Sequence, residues 1–501
     1  MHGSFLLARS RAAEGTEKPV NNAPVEPPRL RQVLKTGDLV ALSVSSVGPL
    51  FSIAATGGVM ARSAGWWSLV AISFVSVPFI ISAFVFRLLS RHFPHAGASY
   101  HWAARVMGAR PARLQAWILV LAYFSSIPPI IIPASTYTIA ILAPGISPPS
   151  WLSVVVGAGW VGFSLVPLLR GAIPTAKVTK AFLAIEILSV AGLIALAVAR
   201  WHAIGVPVHF GQPRFGGMAV VAVVAATVLD GWEIDSYAAE EAAKPGRDLG
   251  LGGIAGAFIA LGFYAVLYPL MFAETPMSVL SSTANPMASW AGRLLPAAPS
   301  LVLIPVLAST AGGMWLTSYI LSRALFAMGR EGLLPSGLAR LNSRGAPAVA
   351  TVAILATAFV VTALQLLYHS LESFFALVLS AAGFLLVSEF FLDSLTATVF
   401  LRRIHRSMPT DIHSTHHHRS LLVASSVSTL LFASLLAAFV TFGPAVIGSS
   451  IDLVVGVIVA GGLVFAFSRR NVLSDRTGSD PKTMIVGPTG HEDRSCADGA
   501  A

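Results

Sequence analysis

Three carboxylates and a glycine interrupt an otherwise apolar segment in the middle of the chain. The interrupting residues are Asp230, Gly231, Trp232, Glu233 and Asp235. An ionisable group at the centre of a bilayer costs roughly 2.5–3.5 kcal/mol on insertion scales, so these side chains are not expected to face lipid. Glycine lets the backbone leave the helix, and irregular backbone at this depth is tolerated only where it lines a cavity. The pattern predicts a broken helix at a binding site.

The composition places that segment in a membrane protein. Of 501 residues, 55% are hydrophobic and only 11% are charged, whereas soluble domains have about 25% charged residues. The net charge of +10 does not indicate a nucleic-acid partner, because the basic residues are concentrated in every second loop, on one side of the membrane. All but four of the 33 lysines and arginines fall on the side that holds both termini, the exceptions being Arg62, Arg200, Arg214 and Arg293. By the positive-inside rule both termini are cytoplasmic, in a multi-pass protein of the inner (plasma) membrane.

Runs of about 20 apolar residues, long enough to cross the bilayer, predict an all-α integral membrane protein with twelve transmembrane helices. We expect them at about 38–61, 66–89, 114–142, 150–169, 177–200, 216–240, 250–273, 298–326, 348–368, 373–401, 420–441 and 450–468. Five regions follow: a disordered tail at 1–36, helices 1–5 at 37–205, helices 6–10 at 215–405, two further helices at 419–470, and a second disordered tail at 471–501.

The first span has polar and helix-breaking residues at its middle, namely Ser45, Ser46, Gly48, Pro49 and Ser52. Proline removes a helical hydrogen bond and clashes with the preceding turn, which predicts a break near Gly48; a kink in a continuous helix is the alternative. Interrupted segments five spans apart indicate a five-plus-five inverted repeat with broken helices 1 and 6 and a site at the membrane midplane.

Four motifs resemble those of the amino acid–polyamine–organocation transporter superfamily. They are Pro94-His-Ala-Gly-Ala-Ser-Tyr-His-Trp102, Arg170-Gly-Ala-Ile-Pro-Thr-Ala-Lys-Val178, Gly231-Trp-Glu233 followed by Glu240-Glu-Ala-Ala-Lys-Pro245, and the segment from Ser322-Arg323 to Gly332-Leu-Leu-Pro335. The resemblance covers most of residues 37–405 and implies transport of amino acids or related amines by alternating access. It also implies that positions 45–52 and 229–235 hold the substrate's carboxylate and amino groups. Many members of the superfamily have a glycine-rich run in span 1, and this sequence differs from it there. The difference admits an amine substrate that lacks a carboxylate.

Glu186 lies in span 5, at the position where some members of the superfamily carry a lysine in place of a sodium ion. We interpret Glu186 as a proton-coupling carboxylate, because buried intramembrane acids are candidates for functional roles; pairing with Lys177 or Lys180 is the alternative. Sodium remains an alternative coupling ion, for which Ser309 and Thr310 would supply oxygen ligands. Buried hydroxyls, however, commonly bond to the backbone of their own helix.

Several residues carry a second interpretation. Trp232 is predicted to gate the site or stack on a substrate ammonium, or else to pack between helices. Glu240 and Glu241 are expected to pair with Lys244 or Arg247 in a structural cluster. Glu389 and Asp393 share one face of span 10 and either line the pathway or bind Arg402 and Arg403.

No cofactor and no metal site are predicted. The single cysteine, Cys496, excludes a cysteine-based metal cage, and the histidines at 413 and 416–418 lie in a basic loop without acidic ligands. The expected partners are a small-molecule substrate, a proton, the lipid bilayer and no nucleic acid.

We therefore expect a permease for amino acids or amines, with proton-coupled symport as the preferred mode. The acidic residues of the interior favour a cationic substrate. The alternatives are an amine or amino acid exchanger without ion coupling, a channel, and a transporter-like receptor. An enzyme is not expected, because the sequence shows no nucleotide loop and no nucleophile with its base.

Overall fold

The computed structural model describes residues 28–145, 149–283, 286–367, 371–407 and 412–468, and within them it contains nineteen α-helices. The first ten are α1 (Thr36–Val47), α2 (Pro49–Ala64), α3 (Trp67–His92), α4 (Ala98–Met107), α5 (Ala109–Ser126), α6 (Pro128–Leu142), α7 (Ser150–Arg170), α8 (Ala172–Ile204), α9 (Phe215–Leu229) and α10 (Ile234–Tyr237). The others are α11 (Pro245–Asp248), α12 (Leu251–Glu274), α13 (Met277–Ser282), α14 (Pro286–Leu294), α15 (Ser300–Arg330), α16 (Ala348–Ala363), α17 (Leu371–Ser407), α18 (Ile412–Ile447) and α19 (Ser450–Phe467). Short 3₁₀ turns occupy Ala239–Glu241, Ser336–Ala339 and Leu364–Leu367.

The all-helical class predicted from the sequence is confirmed in the described part of the chain. Eleven helical segments there are long and apolar enough to cross a membrane, and α9 is a shorter apolar helix. No strand forms among the described residues, where the only bridge joins Leu34 to Ala242. Large apolar side chains point outwards from these helices, with Leu188 73% and Leu430 67% exposed. Such a surface is stable only against lipid.

Both interruptions expected from the sequence are present. Helix α1 ends at Val47, Gly48 adopts a left-handed conformation with φ +54°, and α2 begins at Pro49. Pro49 suits the first helical position because its missing N–H would have no partner there. Helix α9 ends at Leu229, and four residues of irregular backbone follow before α10.

The third predicted span differs from expectation, because it is divided into α5 and α6. The junction residue, Ile127, keeps a helical conformation, so the chain bends without unwinding. Pro128 and Pro129 follow directly, and they cannot donate the hydrogen bonds that would continue α5. The bend brings Ser126 and Pro129 to the same cavity.

Small residues allow the central helices to approach closely. A Cβ at Gly217 of α9 would lie 1.9 Å from the Ser63 carbonyl oxygen, and one at Gly383 of α17 would lie 2.4 Å from the Val223 carbonyl oxygen. Close backbone approach through glycine is the usual packing mode of membrane helices. Helix α9 is thereby held between α2 and α17, which fixes the position of the break after Leu229.

The two predicted tails lie mostly outside the described residues, which leave out 1–27 and 469–501. Residues 28–36 are packed against the protein: Leu34 is fully buried, and Val33 and Leu34 donate backbone hydrogen bonds to the Glu241 carbonyl. The histidine-rich segment 413–418 forms the start of α18, and its side chains also lie outside the described part.

Candidate functional site

The two interruptions touch each other. Asp230 is extended, and Gly231 has φ +104°, a conformation that favours glycine. A Cβ at Gly231 would lie 2.8 Å from the carbonyl carbon and oxygen of Ser46. The break after α9 is therefore pressed against the last turn of α1.

A small cavity of about 30 Å³ adjoins this contact. Its apolar lining is formed by Val47, Phe51, Ala55, Pro129, Ile130, Val228, Gly231, Gly313, Leu379 and Ala382. Its polar lining is formed by Ser46, Ser52, Thr56, Ser126, Thr227, Asp230 and Thr317. Asp230 is the one ionisable group in this lining.

Two fully buried side-chain atoms of the lining lack a hydrogen-bond partner among the described residues: Asp230 Oδ1 and Ser46 Oγ. Other hydroxyls of the cavity are already engaged, since Thr227 bonds to the Val224 carbonyl and Ser126 to the Ala122 carbonyl. A buried polar group without a partner costs about 1–3 kcal/mol. A ligand that satisfies both atoms would recover that cost.

The carbonyl groups freed at the end of α9 are occupied. Tyr264 donates its hydroxyl to the Val228 carbonyl at 2.7 Å, and the Trp232 indole donates to the Leu229 carbonyl at 2.7 Å. The resemblance implies that positions 229–235 help to hold the substrate's amino group, but these two carbonyls are not free to accept from it. Asp230 remains as the acceptor that faces the cavity.

Of the ten residues predicted from the sequence to contact substrate, the lining contains Ser46, Ser52, Asp230 and Gly231. Ser45 packs towards Gly312 of α15, and Gly48 packs towards Ser309 of the same helix. Pro49 is buried at the start of α2.

Trp232, Glu233 and Asp235 are fully buried but engaged away from the cavity lining. The Trp232 ring packs between Phe86 and Phe390, at 5.2 and 5.6 Å between ring centroids. This placement matches the alternative in which Trp232 packs between helices.

The two acids each bond to nearby groups. Glu233 accepts the Tyr123 hydroxyl at 2.9 Å and the Gly231 N–H at 2.9 Å. Asp235 accepts the N–H groups of Gly250 and Gly253, and so caps the start of α12.

Glu186 lies behind the cavity, at the start of α2. Its Oε1 accepts the Leu50 N–H at 3.2 Å and the Ser309 hydroxyl at 2.5 Å, while Ser309 Oγ accepts the Phe51 N–H. The predicted pairing of Glu186 with Lys177 or Lys180 is wrong, because Lys180 pairs with Asp38. Glu186 instead occupies the positive end of a helix dipole.

Of the two proposed sodium ligands, only Ser309 faces this site. Thr310 donates its hydroxyl to the Val306 carbonyl of its own helix. The other side-chain oxygen beside Ser309 belongs to the Glu186 carboxylate, a group that binds a proton as well as a metal ion.

Glu240 and Glu241 have arginine partners that the sequence analysis did not identify. Glu241 binds Arg323 through two hydrogen bonds of 3.0 and 3.2 Å and also accepts the Tyr319 hydroxyl. Glu240 binds Arg330. The predicted partners Lys244 and Arg247 were wrong because the true partners lie more than eighty residues away on α15.

A pair of histidines lies at the same end of the molecule and contacts a third acid, Glu331. His95 and His101 stack at 3.8 Å between ring centroids, and both approach Glu331 Oε1, at 3.1 and 3.4 Å. Burial raises the pKa of Glu331, but hydrogen bonds from His101 and His95 outweigh this and hold it well below its usual value. Burial lowers the pKa of His101 to about 4.

The motif from Pro94 to Trp102 could not reveal this contact, because Glu331 lies far away in the sequence. The cavity residues Ser126 and Thr317 were also missed. Serine and threonine are frequent in membrane helices, and only the tertiary structure separates those that line a cavity.

Comparison with known proteins connects this geometry to a family. A model described as amino acid permease matches residues 34–465. A branched-chain amino acid permease from Lactococcus lactis is 27% identical over 350 residues, which cover 65% of this chain and 74% of that protein. An L-methionine/branched-chain amino acid exporter from Escherichia coli is 27% identical, covering 68% and 80%.

A more distant relative is human: the b(0,+)-type amino acid transporter 1 is 23% identical, covering 64% of each chain. These relatives are transporters rather than enzymes. The resemblance seen in the four sequence motifs is thereby confirmed, and the chain belongs to the amino acid permease family of the amino acid–polyamine–organocation superfamily.

Proposed function

We propose that this protein carries small neutral amino acids across the plasma membrane by alternating access, in symport with a proton. The observation that carries the proposal is the pair of unpartnered atoms, Asp230 Oδ1 and Ser46 Oγ, in a cavity that is otherwise mostly apolar. Twelve spans in a five-plus-five repeat, with both termini in the cytoplasm, form the architecture of this proposal.

The substrate class follows from the charge of the cavity. The ammonium group of an amino acid would pair with Asp230, the single carboxylate in the lining. The lining offers no second acid for a cationic side chain, because Glu233 and Asp235 have other partners. Leu379, Ile130 and Val228 would contact an aliphatic side chain, gaining about 25 cal/mol per Å² of apolar surface removed from water. The names of the bacterial relatives, two transporters of branched-chain amino acids, agree with an aliphatic substrate.

Proton coupling would arise at the start of α2. The N-terminus of a helix attracts a carboxylate through its dipole and free N–H groups. Glu186 already bonds to the Leu50 N–H there. An ionised Glu186 opposes a substrate carboxylate nearby by like-charge repulsion, whereas a protonated Glu186 removes that repulsion. Substrate and proton would therefore bind together.

Uptake into proteoliposomes tests the proposal. Radiolabelled leucine, valine, lysine and putrescine are offered to the full-length wild type with and without an imposed pH gradient. We expect accumulation of leucine and valine driven by the gradient, and little uptake of lysine or putrescine. Preferred uptake of lysine or putrescine would overturn the substrate class.

The Glu186→Gln variant separates coupling from binding, with Asp452→Asn at an exposed acid of α19 as the matched control. We expect Glu186→Gln to bind leucine but to lose gradient-driven accumulation, while the control behaves as wild type. Leucine uptake that ignores the gradient and requires internal amino acid would instead identify an exchanger.

A further inference from the structure

A second pair of acids lies on α17, outside the cavity lining. Glu389 and Asp393 are fully buried and one helical turn apart. Ser99 of α4 contacts both, at 3.3 Å to Glu389 Oε1 and 2.9 Å to Asp393 Oδ2. Tyr237 of α10 donates to Glu389 Oε1 at 2.8 Å, and Gln115 of α5 places its Nε2 3.4 Å from Asp393 Oδ1. Four separate elements therefore meet at the two carboxyl groups.

The donors at this place are too few for two negative charges. The hydroxyls of Ser99 and Tyr237 have one proton each, so each bonds only one of the four carboxyl oxygens at a time. Glu389 Oε2 has no partner among the described residues, and neither has Gln115 Oε1, although Gln115 is fully buried. Two ionised carboxylates, desolvated and this incompletely bonded, are strongly unfavourable.

The charged groups around the pair offer no compensation. Glu233, Asp230 and the phenols of Tyr123 and Tyr237 are the titratable groups nearest to it. Basic residues of the packed helices have other contacts or are exposed. Arg113 of α5 donates to the Ala466 carbonyl, Arg110 packs on Phe467, His92 of α3 packs on Phe400, and Arg87 of α3 lies against Gly250. On α4, His101 contacts Glu331 and Arg105 donates to His101, while the exposed residues are Arg91, Arg402, Arg403, His405, Arg406 and Arg419. The predicted pairing of Glu389 and Asp393 with Arg402 and Arg403 is therefore not what the structure shows.

We propose that Glu389 and Asp393 form a proton-binding site that takes one proton from water and holds it on one of the two carboxyl groups. Binding changes the charge of the pair from −2 to −1, so that a single carboxylate remains for the few donors present. No base among the described residues needs to move. The site is separate from Glu186, which lies at the start of α2 and contacts α15.

Gln115 gives the site a way to accept either protonation state. A side-chain amide presents a donor on one side and an acceptor on the other, and turning it exchanges the two. With Asp393 ionised, the Gln115 Nε2 donates to it, as the 3.4 Å contact shows. With Asp393 protonated, the turned amide accepts through Oε1, the atom that now has no partner.

An aromatic pair connects this site to the cavity. Tyr237 bonds to Glu389, Tyr123 bonds to Glu233, and the two phenol rings pack edge to face at 5.6 Å between centroids. Glu233 in turn interacts electrostatically with Asp230. We expect the charge of a ligand at Asp230 to act on the α17 site through these neighbouring groups. This part of the inference rests on the proposed transport function.

Infrared difference spectroscopy tests proton binding without reference to any substrate. The full chain is reconstituted in lipid, and the carbonyl band of protonated carboxyl groups is recorded from about pH 5 to 9, with its shift in deuterated buffer. We expect Glu389→Gln and Asp393→Asn each to lose the same titrating component, because two neighbouring acids titrate as a pair. Asp452→Asn, at an exposed acid, should leave the band unchanged.

An unchanged protonated-carboxyl band in both α17 variants would overturn the proposal. Loss of the band on adding sodium to the wild type would also overturn it, by showing that the site binds a cation. If either variant fails to fold, Gln115→Leu provides a second test that keeps both acids. Removing the amide should shift the titration of the wild-type component, whereas an unmoved titration would contradict the role of Gln115.

A transport measurement separates this inference from the proposed function. Leucine uptake as a function of external pH should shift in Asp393→Asn with leucine binding retained. No leucine uptake by wild type would reject the proposed function while the infrared result still decides the proton site. A wild-type pH profile in Asp393→Asn would leave the site unconnected to transport and overturn the relay through Tyr237 and Tyr123.

Discussion

The acids around Arg323 and Arg330 and those of the helix interior have opposite environments. Glu241 and Glu240 each bind an arginine of α15, and Glu331 receives hydrogen bonds from two histidines. Asp230 and Glu389 each keep a carboxylate oxygen without a partner in the described structure. Residues of the same chemical type therefore have different roles. The paired acids hold helices together, and the unpaired acids are available to a proton or a ligand.

The buried pair between Glu241 and Arg323 should show the largest effect on stability. Arg323 is fully buried beneath Tyr319, so Arg323→Met leaves an uncompensated carboxylate in the interior. We expect a loss of about 3–5 kcal/mol in unfolding free energy, measured by unfolding in detergent. Arg340→Met, at an exposed position, is the control. Recovery in the double variant with Glu241→Gln would confirm the cause, and an unchanged single variant would refute the pairing.

Asp230→Asn should weaken leucine binding rather than folding. Loss of the partner of a buried ammonium typically costs about 2–5 kcal/mol, which corresponds to a rise of roughly 30- to several thousand-fold in Kd. Equilibrium binding of labelled leucine measures this, with Asp452→Asn as the control. Unaltered affinity would show that the ammonium binds elsewhere.

Gly231→Ala tests the contact between the two interruptions. A methyl group there would meet Ser46 at 2.8 Å in a backbone conformation that L-residues rarely adopt. We expect a cost of about 1–3 kcal/mol and a loss of leucine binding. Gly262→Ala on α12 has no atom within 4 Å of the added carbon and should be neutral or slightly stabilising. If the two variants behaved alike, the close approach of Gly231 to Ser46 would not be what the substitution disturbs.

His101→Gln should have the smallest effect at neutral pH, about 0.5–1.5 kcal/mol for one hydrogen bond. Acid conditions reveal more, because the folded pKa of His101 is lowered to about 4 while the unfolded value is about 6.5. The unfolded chain then binds the proton first, so His101 reduces stability as pH falls from about 6.5 towards 4. Melting temperatures across this range should fall less steeply in the variant. Parallel curves would contradict a buried neutral histidine.

The sequence was sufficient for features with a local cause. Gly48-Pro49 and Gly231 break helices through their own backbone properties, and the structure places both breaks where the sequence predicted them. Partners of the acids could not be predicted in the same way. Glu186 lies 123 residues from Ser309, and no periodicity along one helix encodes which residue of another helix it will face.

The same limit applies to the cavity. Asp230 and Glu233 are three residues apart and chemically alike, yet only Asp230 lines the cavity, because Gly231 turns the chain between them. A sequence pattern identifies both acids as unusual at that depth. Only the packing of α5, which brings Tyr123 to Glu233, separates their environments.

Substrate-driven proton movement tests the central claim most directly. Proteoliposomes that hold a pH-sensitive dye and contain wild type, Glu186→Gln or Asp452→Asn receive external leucine without any imposed gradient. The account predicts internal acidification for wild type and Asp452→Asn, and none for Glu186→Gln despite retained leucine binding. Leucine entry into wild-type vesicles without acidification would contradict proton symport.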